Sequence, residues 1–598
     1  MIRRYFLLII FPVFLYSSPE TMIKKATELE LYKTNEWKSL LHYNDSLNII
    51  DDSFILSDNF SLKNEIEATI TAFFLPKENY KNINNHPQCK FPSRLLFITH
   101  ELNLSSSVFP KIACQEFGIY KKKAPADTIS LIYASENVKN PSSMMGHTFL
   151  KFSGKNHQNI KKEHAITFYT IIETVNLFKL LYQNIISGMK GLFALQPYNK
   201  MITQYTEKEN RNVWEYQLKL NGYRKKLLYY HIWELKDVDM QYYFTSYNCS
   251  TVIYYLLSLI NPKIYEEQKL WITPLDTVKF LYKYNLISKS ELFPSNEWLT
   301  KMTSENLSGY EINSVKNIVN QNQYYKINHL DFNSLRLLES YTNLLYKNNL
   351  LNNEKYEVLK KNIQKVSKNS DEVFDISNYK SPNKIPSERQ IGIGYKNLDK
   401  ESFLKLTFLP ASHLINDNNK EYFGESELKI GYLSVLLKNN KVQLDEFTLY
   451  GMKSYMPYDS LTNDLSYQLE LGVKKEYTRN MNYEDTFKLS GGFGIDLLFE
   501  KDINFFAMMN LGFGYNKDDE SHTFLNPQVG AMVYEVFDMK SLLYYQPLFV
   551  NNNKVYDKFV LEHNIFISKD YKLYFNIEQI NNNLSNKKNF EFGFVKLF

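Results

Sequence analysis

Two short stretches of the chain carry the residue types needed for nucleophilic chemistry. Asn248-Cys249-Ser250-Thr251 opens an apolar run that Pro262 stops, and Gly146-His147-Thr148-Phe149 leads from a turn at Asn140-Pro141 into a run with strand character. Asn248 is a favoured helix N-cap, so the pattern predicts Cys249 in the first turn of an amphipathic helix. There the macrodipole and the unpaired backbone N–H groups favour a thiolate, and a nearby histidine favours it further. The same cap, Asn248 and Ser250, offers donors for the oxyanion of a tetrahedral intermediate. A thiol so placed is suited to acyl transfer. The competing reading is a small buried hydrophobe, the usual role of a lone cysteine in an apolar helix. No His-x-x-x-His or paired-cysteine spacing occurs, and His231 has no ligand partner at helical spacing, so neither a metal nor another cofactor is expected.

The elements that must position this pair change character along the chain. From Thr21 to about Lys81 apolar residues recur every three or four positions, which predicts a helical lead-in. From about Pro92 to Pro274 the pattern is mixed, with β-rich runs at Thr128 to Ala134, Thr148 to Phe152 and Ala165 to Ile172 between helical stretches. Helical periodicity returns to about Val366, with Leu335, Leu337, Leu338, Tyr341 and Leu344 on one repeating face, and Lys368 to Pro386 reads as a linker. Beyond about Arg389 the period is two to the end, as in Leu465-Tyr467-Leu469-Leu471 and Phe487-Leu489-Gly491-Phe493.

About twelve such runs are long enough to cross a bilayer as strands, which need about 9–11 residues and, in bacterial barrels, an even count. The last run closes on Phe598 and resembles the terminal signal read by outer-membrane assembly machinery. Arg3 and Arg4 before the apolar run Tyr5 to Leu15, with Ser17 and Ser18 after it, have the form of a secretory signal peptide. The fold expected is therefore multidomain: signal peptide at 1–18, helical region at 19–90, α+β domain at 91–274, helical connector at 275–388 and an antiparallel transmembrane β-barrel at 389–598. A soluble β-sandwich is the alternative for the last segment.

Composition fits that reading. The chain has 598 residues, enough for about three to five cores, and 46 Tyr with 41 Phe can supply both cores and membrane-interface rings. The net charge of +5, from 70 basic and 65 acidic residues, is spread along the chain and gives no basic face for nucleic acid. Export to an oxidising compartment would let Cys89 and Cys114 pair and leave Cys249 free, but three free thiols remain the alternative, because pairing geometry is not legible in sequence.

Taken together, several stretches resemble the Lnb N-terminal periplasmic domain family. They are Gly146-His147-Thr148-Phe149-Leu150, Arg211-Asn212-Val213-Trp214-Glu215-Tyr216, His231-Ile232-Trp233-Glu234-Leu235, Tyr243-Phe244 and Asn248-Cys249, with Pro87 to Arg94 upstream. The order, histidine first and Asn-Cys later, is similar to the circularly permuted branch of the papain-like, NlpC/P60 fold. That resemblance implies a polar residue on the strand after His147 to orient its ring, and His164 is the candidate. It also implies lipoprotein N-acylation, with phospholipid or the lipoprotein's own chain as donor. Cys249 would be nucleophile and His147 base and then acid, at a site facing outer-membrane lipid. The same branch allows a peptidoglycan amidase or endopeptidase. A barrel protein that binds envelope components or transports solutes without catalysis is the reading from another class.

Overall fold

The computed structural model describes residues 18–49, 51–105, 108–137, 145–171, 179, 182–183, 187–305, 307–367, 380–499, 502–583 and 585–598. The signal run before Ser18, the turn from Asn140 to Met144 and most of the linker after Lys368 lie outside those residues.

The chain begins with helices α1 (Pro19–Glu28), α2 (Asn35–Leu40), α3 (Leu62–Phe73), α4 (Pro92–Glu101) and α5 (Gln115–Lys123). Ser18, Thr34 and Ser61 cap the first three, each accepting a backbone N–H. An antiparallel seven-stranded sheet follows, built from β1 (Thr128–Ala134), β2 (His147–Lys155), β3 (Lys161–Thr170), β4 (Met189–Pro197), β5 (Val213–Leu218), β6 (Met240–Tyr242) and β7 (Ile287–Phe293). Its spatial order is β6-β4-β3-β2-β1-β5-β7. Helices α6 (Gly222–Glu234), α7 (Cys249–Ile260) and α8 (Pro274–Lys283) complete the unit.

Packing redraws two of the expected boundaries. Met22, Trp37 and Ile66 of the lead-in share one core with Leu150 and Phe152 of β2 and Val252 and Leu257 of α7, so the helical region and the α/β sheet are one unit. Val278 and Leu281 of α8 lie in that core and β7 pairs with β5, so the unit runs through Phe293 rather than ending at 274. Shared burial ties these segments, and each fully buried Leu or Phe contributes roughly 1.5–3 kcal/mol.

Four further helices, α9 (Asn296–Ser304), α10 (Gly309–Asn320), α11 (Phe332–Lys347) and α12 (Asn353–Ser367), form the connector. Residues of the last three, with Leu461, make a separate small core. The barrel strands are β8 (Gln390–Leu398), β9 (Glu401–Leu409), β10 (Glu425–Lys438), β11 (Lys441–Tyr455), β12 (Ser466–Tyr477), β13 (Tyr483–Phe499) and β14 (Ile503–Asn516). They continue with β15 in two pieces (Glu520–Leu525 and Gln528–Glu535), β16 (Met539–Val550), β17 (Asn553–Ser568), β18 (Tyr571–Asn581) and β19 (Asn586–Leu597). Both pieces of β15 bridge β14 and β16. The first strand pairs with the last from Gln390↔Leu597 to Leu398↔Asn589, which closes the twelve strands into a barrel.

The wall alternates as a membrane barrel requires. On β14, Phe505, Met509, Leu511 and Phe513 face outward and are exposed, while Asn504 and Asn510 are buried inside. Ion pairs line the lumen around a cavity of about 210 Å³. Lys396 pairs with Asp445, Lys405 with Glu591 and Lys429 with Glu446. The loop from 410 to 424 folds into one mouth, where Asp417 takes Lys572 and Gln390, and Lys540 donates to the Ile415 carbonyl and Glu425.

That loop also ties the barrel to the rest of the chain. Tyr422 enters the core of the α/β unit, and Phe423 packs on Trp298 of α9 with ring centroids 4.2 Å apart.

Candidate functional site

The cysteine helix starts as its sequence requires. Asn248 Oδ1 accepts the N–H groups of Ser250 (2.8 Å) and Thr251 (3.1 Å), and Thr251 Oγ1 accepts the Asn248 N–H. Such a cap is worth about 1 kcal/mol and fixes the first turn. Every residue of α7 is buried, so its direction is set by packing all round. Ser250 N–H donates to Asn248 and also faces the Cys249 sulfur, and the Ser250 hydroxyl lies 3.8 Å from that sulfur.

Behind the cap runs a chain of buried polar groups. Tyr247 Oη lies 2.5 Å from His42 Nδ1, His42 Nε2 is 3.1 Å from His231 Nε2, and His231 Nδ1 is 2.8 Å from Glu234 Oε2. The other Glu234 oxygen accepts the N–H groups of Ser93 and Arg94 at the start of α4. Burial pushes the Glu234 carboxyl up to about 8, so its oxygen can face His231 either as acceptor or, protonated, as donor, and the chain takes its direction from that proton. His231 and Glu234 therefore brace the residue two before the cysteine. Among the described residues no cluster of metal-binding side chains occurs.

His147 reaches the cysteine end of the sheet through Gly146. At φ +79°, a Cβ on Gly146 would sit 2.9 Å from the Ala134 carbonyl, so only glycine suits this turn. The expected third residue is corrected. Strand register sets His164 opposite Phe152, five residues along β2 from His147 and on the face of β3 opposite to Thr167. His147 Nε2 instead lies 3.1 Å from Thr167 Oγ1. His164 has no part in orienting the ring.

Cys249 and His147 line one cavity of about 490 Å³, with Thr167, Tyr205, Arg211 and Trp271 among its walls. Among the described residues no hydrogen bond joins the sulfur to the imidazole. Burial pushes the thiol above its usual range, against the opposing pull of the Thr148 and Ser250 backbone N–H groups and the Ser250 hydroxyl. Enclosure, with the nearby Arg211 guanidinium second, pushes His147 down to about 3. The resting pair is therefore a neutral thiol and a neutral imidazole. This reverses the thiolate expectation: burial outweighs the helix start.

Sequence reasoning gave no site role to three residues that line the cavity, although Arg211 opens one of the family stretches. Arg211 is buried, donates to the Ala134 and Ser135 carbonyls and pairs with Glu209, which shapes the cavity floor. Tyr205 sits beneath its guanidinium. Thr167 was visible only as part of the Ala165-Thr167-Tyr169 alternation. Away from the cavity, Cys89 and Cys114 form a disulfide with Cα atoms 5.1 Å apart, and Cys249 is free and buried.

Residues 116–284 match the family model of the Lnb N-terminal periplasmic domain. Residues 29–101 and 380–596 match two models described as Domain of unknown function (DUF7843) and Domain of unknown function (DUF7840). No curated protein matches the chain. Among solved structures, the KdgM porin is 9% identical, covers 35% of this chain and 99% of its own, and has a TM-score of 0.23. The COG4313 outer membrane channel from Pseudomonas putida F1 is 12% identical over 38% of this chain and 100% of its own, at a TM-score of 0.23. The β domain of the Bordetella autotransporter BrkA is 10% identical over 36% of this chain and 99% of its own, at 0.20. The barrel itself rests on its strand pairing. The chain thus joins an Lnb-type periplasmic domain to a twelve-strand outer-membrane β-barrel.

Proposed function

We propose that this protein is an outer-membrane-anchored periplasmic thiol acyltransferase acting on lipid-derived acyl groups. The observation that carries the reading is the shared cavity: a free cysteine at a capped helix start and a histidine held through Nε2 by Thr167. With Nε2 engaged, Nδ1 is the nitrogen available to take a proton. Cys249 attacks an ester carbonyl as its thiol proton passes to His147; the C–S bond forms, the C–O bond breaks, and the imidazolium returns the proton to the leaving alkoxide. An amine, such as a lipoprotein N-terminus, then attacks the thioester. The C–N bond forms, the C–S bond breaks, and one amine proton returns to sulfur by way of His147.

The order of histidine strand and cysteine helix supports a permuted papain-like arrangement. The amidase reading uses the same pair, but the apolar wall of Met145, Phe244 and Trp271 suits an acyl chain better than a muropeptide. An ion-paired lumen with a loop folded into one mouth supports an anchor over a conduit. The test is the mass of lipoprotein N-termini and of muropeptides from cells lacking the protein, complemented with wild type or Cys249→Ala. Loss of one acyl chain in the deletion and in Cys249→Ala supports the reading. A change confined to muropeptides replaces it with the amidase.

A further inference from the structure

Three residues of the Cys249 cavity belong at the same time to the contact between periplasmic domain and barrel. Met145, Phe244 and Trp271 pack with Ala411, Leu428 and Met452, flanked by Ile430, Tyr450 and Tyr467. Leu428 and Met452 are a cross-strand pair of β10 and β11, and the adjacent pair, Glu427 and Lys453, forms a 3.0 Å ion pair at the lumen. Alternation then puts Leu428 and Met452 on the outside of the wall.

The outer face continues toward the membrane through Gly431, whose φ of +68° shifts the alternation by one residue and leaves Tyr432 on the lumen. Leu433 and Phe447, again opposite each other, are 37% and 38% exposed, and Ile391 and Ile393 on β8 are 52% and 51% exposed. Arg389, two residues before Ile391, donates to the Trp271 carbonyl at 2.9 Å. An apolar strip therefore runs from the lipid-facing belt along β10 and β11 to the cavity wall, where Leu428 and Met452 are buried against Met145 and Trp271 and the contact must part for a chain to pass. From Leu433 to Leu428 is about 16 Å of strand, comparable to the roughly 15 Å that one leaflet's chains span in a bilayer core of about 30 Å.

We propose that this strip is a lateral portal for one acyl chain of a phospholipid from the periplasmic leaflet around the barrel. The chain leaves the bilayer along β10 and β11 and lies against Met145, Phe244 and Trp271. The phosphate stays at the polar wall, where Lys200 is exposed and Gln204 lines the cavity. That the ester carbonyl stops beside Cys249 rests on the acyltransferase reading; the path itself does not.

The experiment uses the full chain in liposomes of phosphatidylethanolamine and phosphatidylglycerol doped with a phospholipid whose acyl chain carries a diazirine close to its ester. Irradiation should label peptides carrying Phe244 and Trp271 equally in wild type and Cys249→Ala. Phe244→Gln with Trp271→Gln should lower cavity labelling about fivefold while labelling at Leu433 and Phe447 is unchanged, which shows the barrel folded. Labelling confined to the belt in wild type would overturn the portal, as would labelling from a diacylated lipopeptide probe but not from the phospholipid. Cavity labelling without an acyl adduct on Cys249 would keep the portal and remove the acyltransferase reading.

Discussion

The Nε2 atom of His147 lies 3.1 Å from the hydroxyl of Thr167, on the neighbouring strand and on the cavity side of the sheet. That contact holds the ring through Nε2. Thr167→Val keeps the side-chain shape and removes the hydroxyl. It should lower kcat about tenfold, the worth of one hydrogen bond, with KM within a factor of about two. Thr167→Ser should restore most of the rate. His164→Ala should leave steady-state kinetics unchanged; a tenfold loss there would return His164 to the site.

The pH profile follows from the neutral resting pair. Burial and Arg211 hold His147 down to about 3, so the base stays unprotonated as pH falls through the ordinary histidine range. Burial also holds the Cys249 thiol protonated through neutral pH. The profile of kcat/KM should be level from about pH 5 to pH 8. A solvent-like histidine would instead halve the rate near pH 6.5 and cut it about tenfold one unit lower.

The three cysteines should separate by chemistry. Cys89 and Cys114 are bonded to each other and Cys249 is free at a cavity wall. A small alkylating agent on the native protein should modify the peptide containing Cys249, slowly because the sulfur is buried, and should modify Cys89 or Cys114 only after reduction. Peptide mass mapping reads both.

Lumen closure is measurable directly. Asp417 on the inserted loop is held by Lys572 and Gln390, and Lys540 holds the adjoining backbone. Wild-type protein in planar bilayers should show no steady conductance, whereas replacing residues 412–421 by a short Gly-Ser turn should give discrete open steps. Steady conduction by the wild type would make the barrel a conduit.

Much of this was legible in the sequence because it is local. The period-two runs after Arg389 announce strands, and Asn248 announces the start of α7. What was not legible depends on partners far away. Alternation gives the faces of β3 but not its register against β2, which is why His164 looked eligible and Thr167 did not. The helix start argues for a thiolate only while the sulfur is hydrated, and burial of Cys249 is a property of the whole core. The lead-in looked separate because nothing in Met22 or Trp37 says that they pack with Leu257.

The central claim is that Cys249 carries the acyl group, and the direct measurement is the mass of the Cys249 peptide after full-length protein reacts with phospholipid in the absence of an amine acceptor. The account predicts a one-acyl mass increase on that peptide, removed by neutral hydroxylamine, absent in Cys249→Ala and strongly slowed in His147→Ala. Acyl transfer to a later-added amine by Cys249→Ala at the wild-type rate would contradict it.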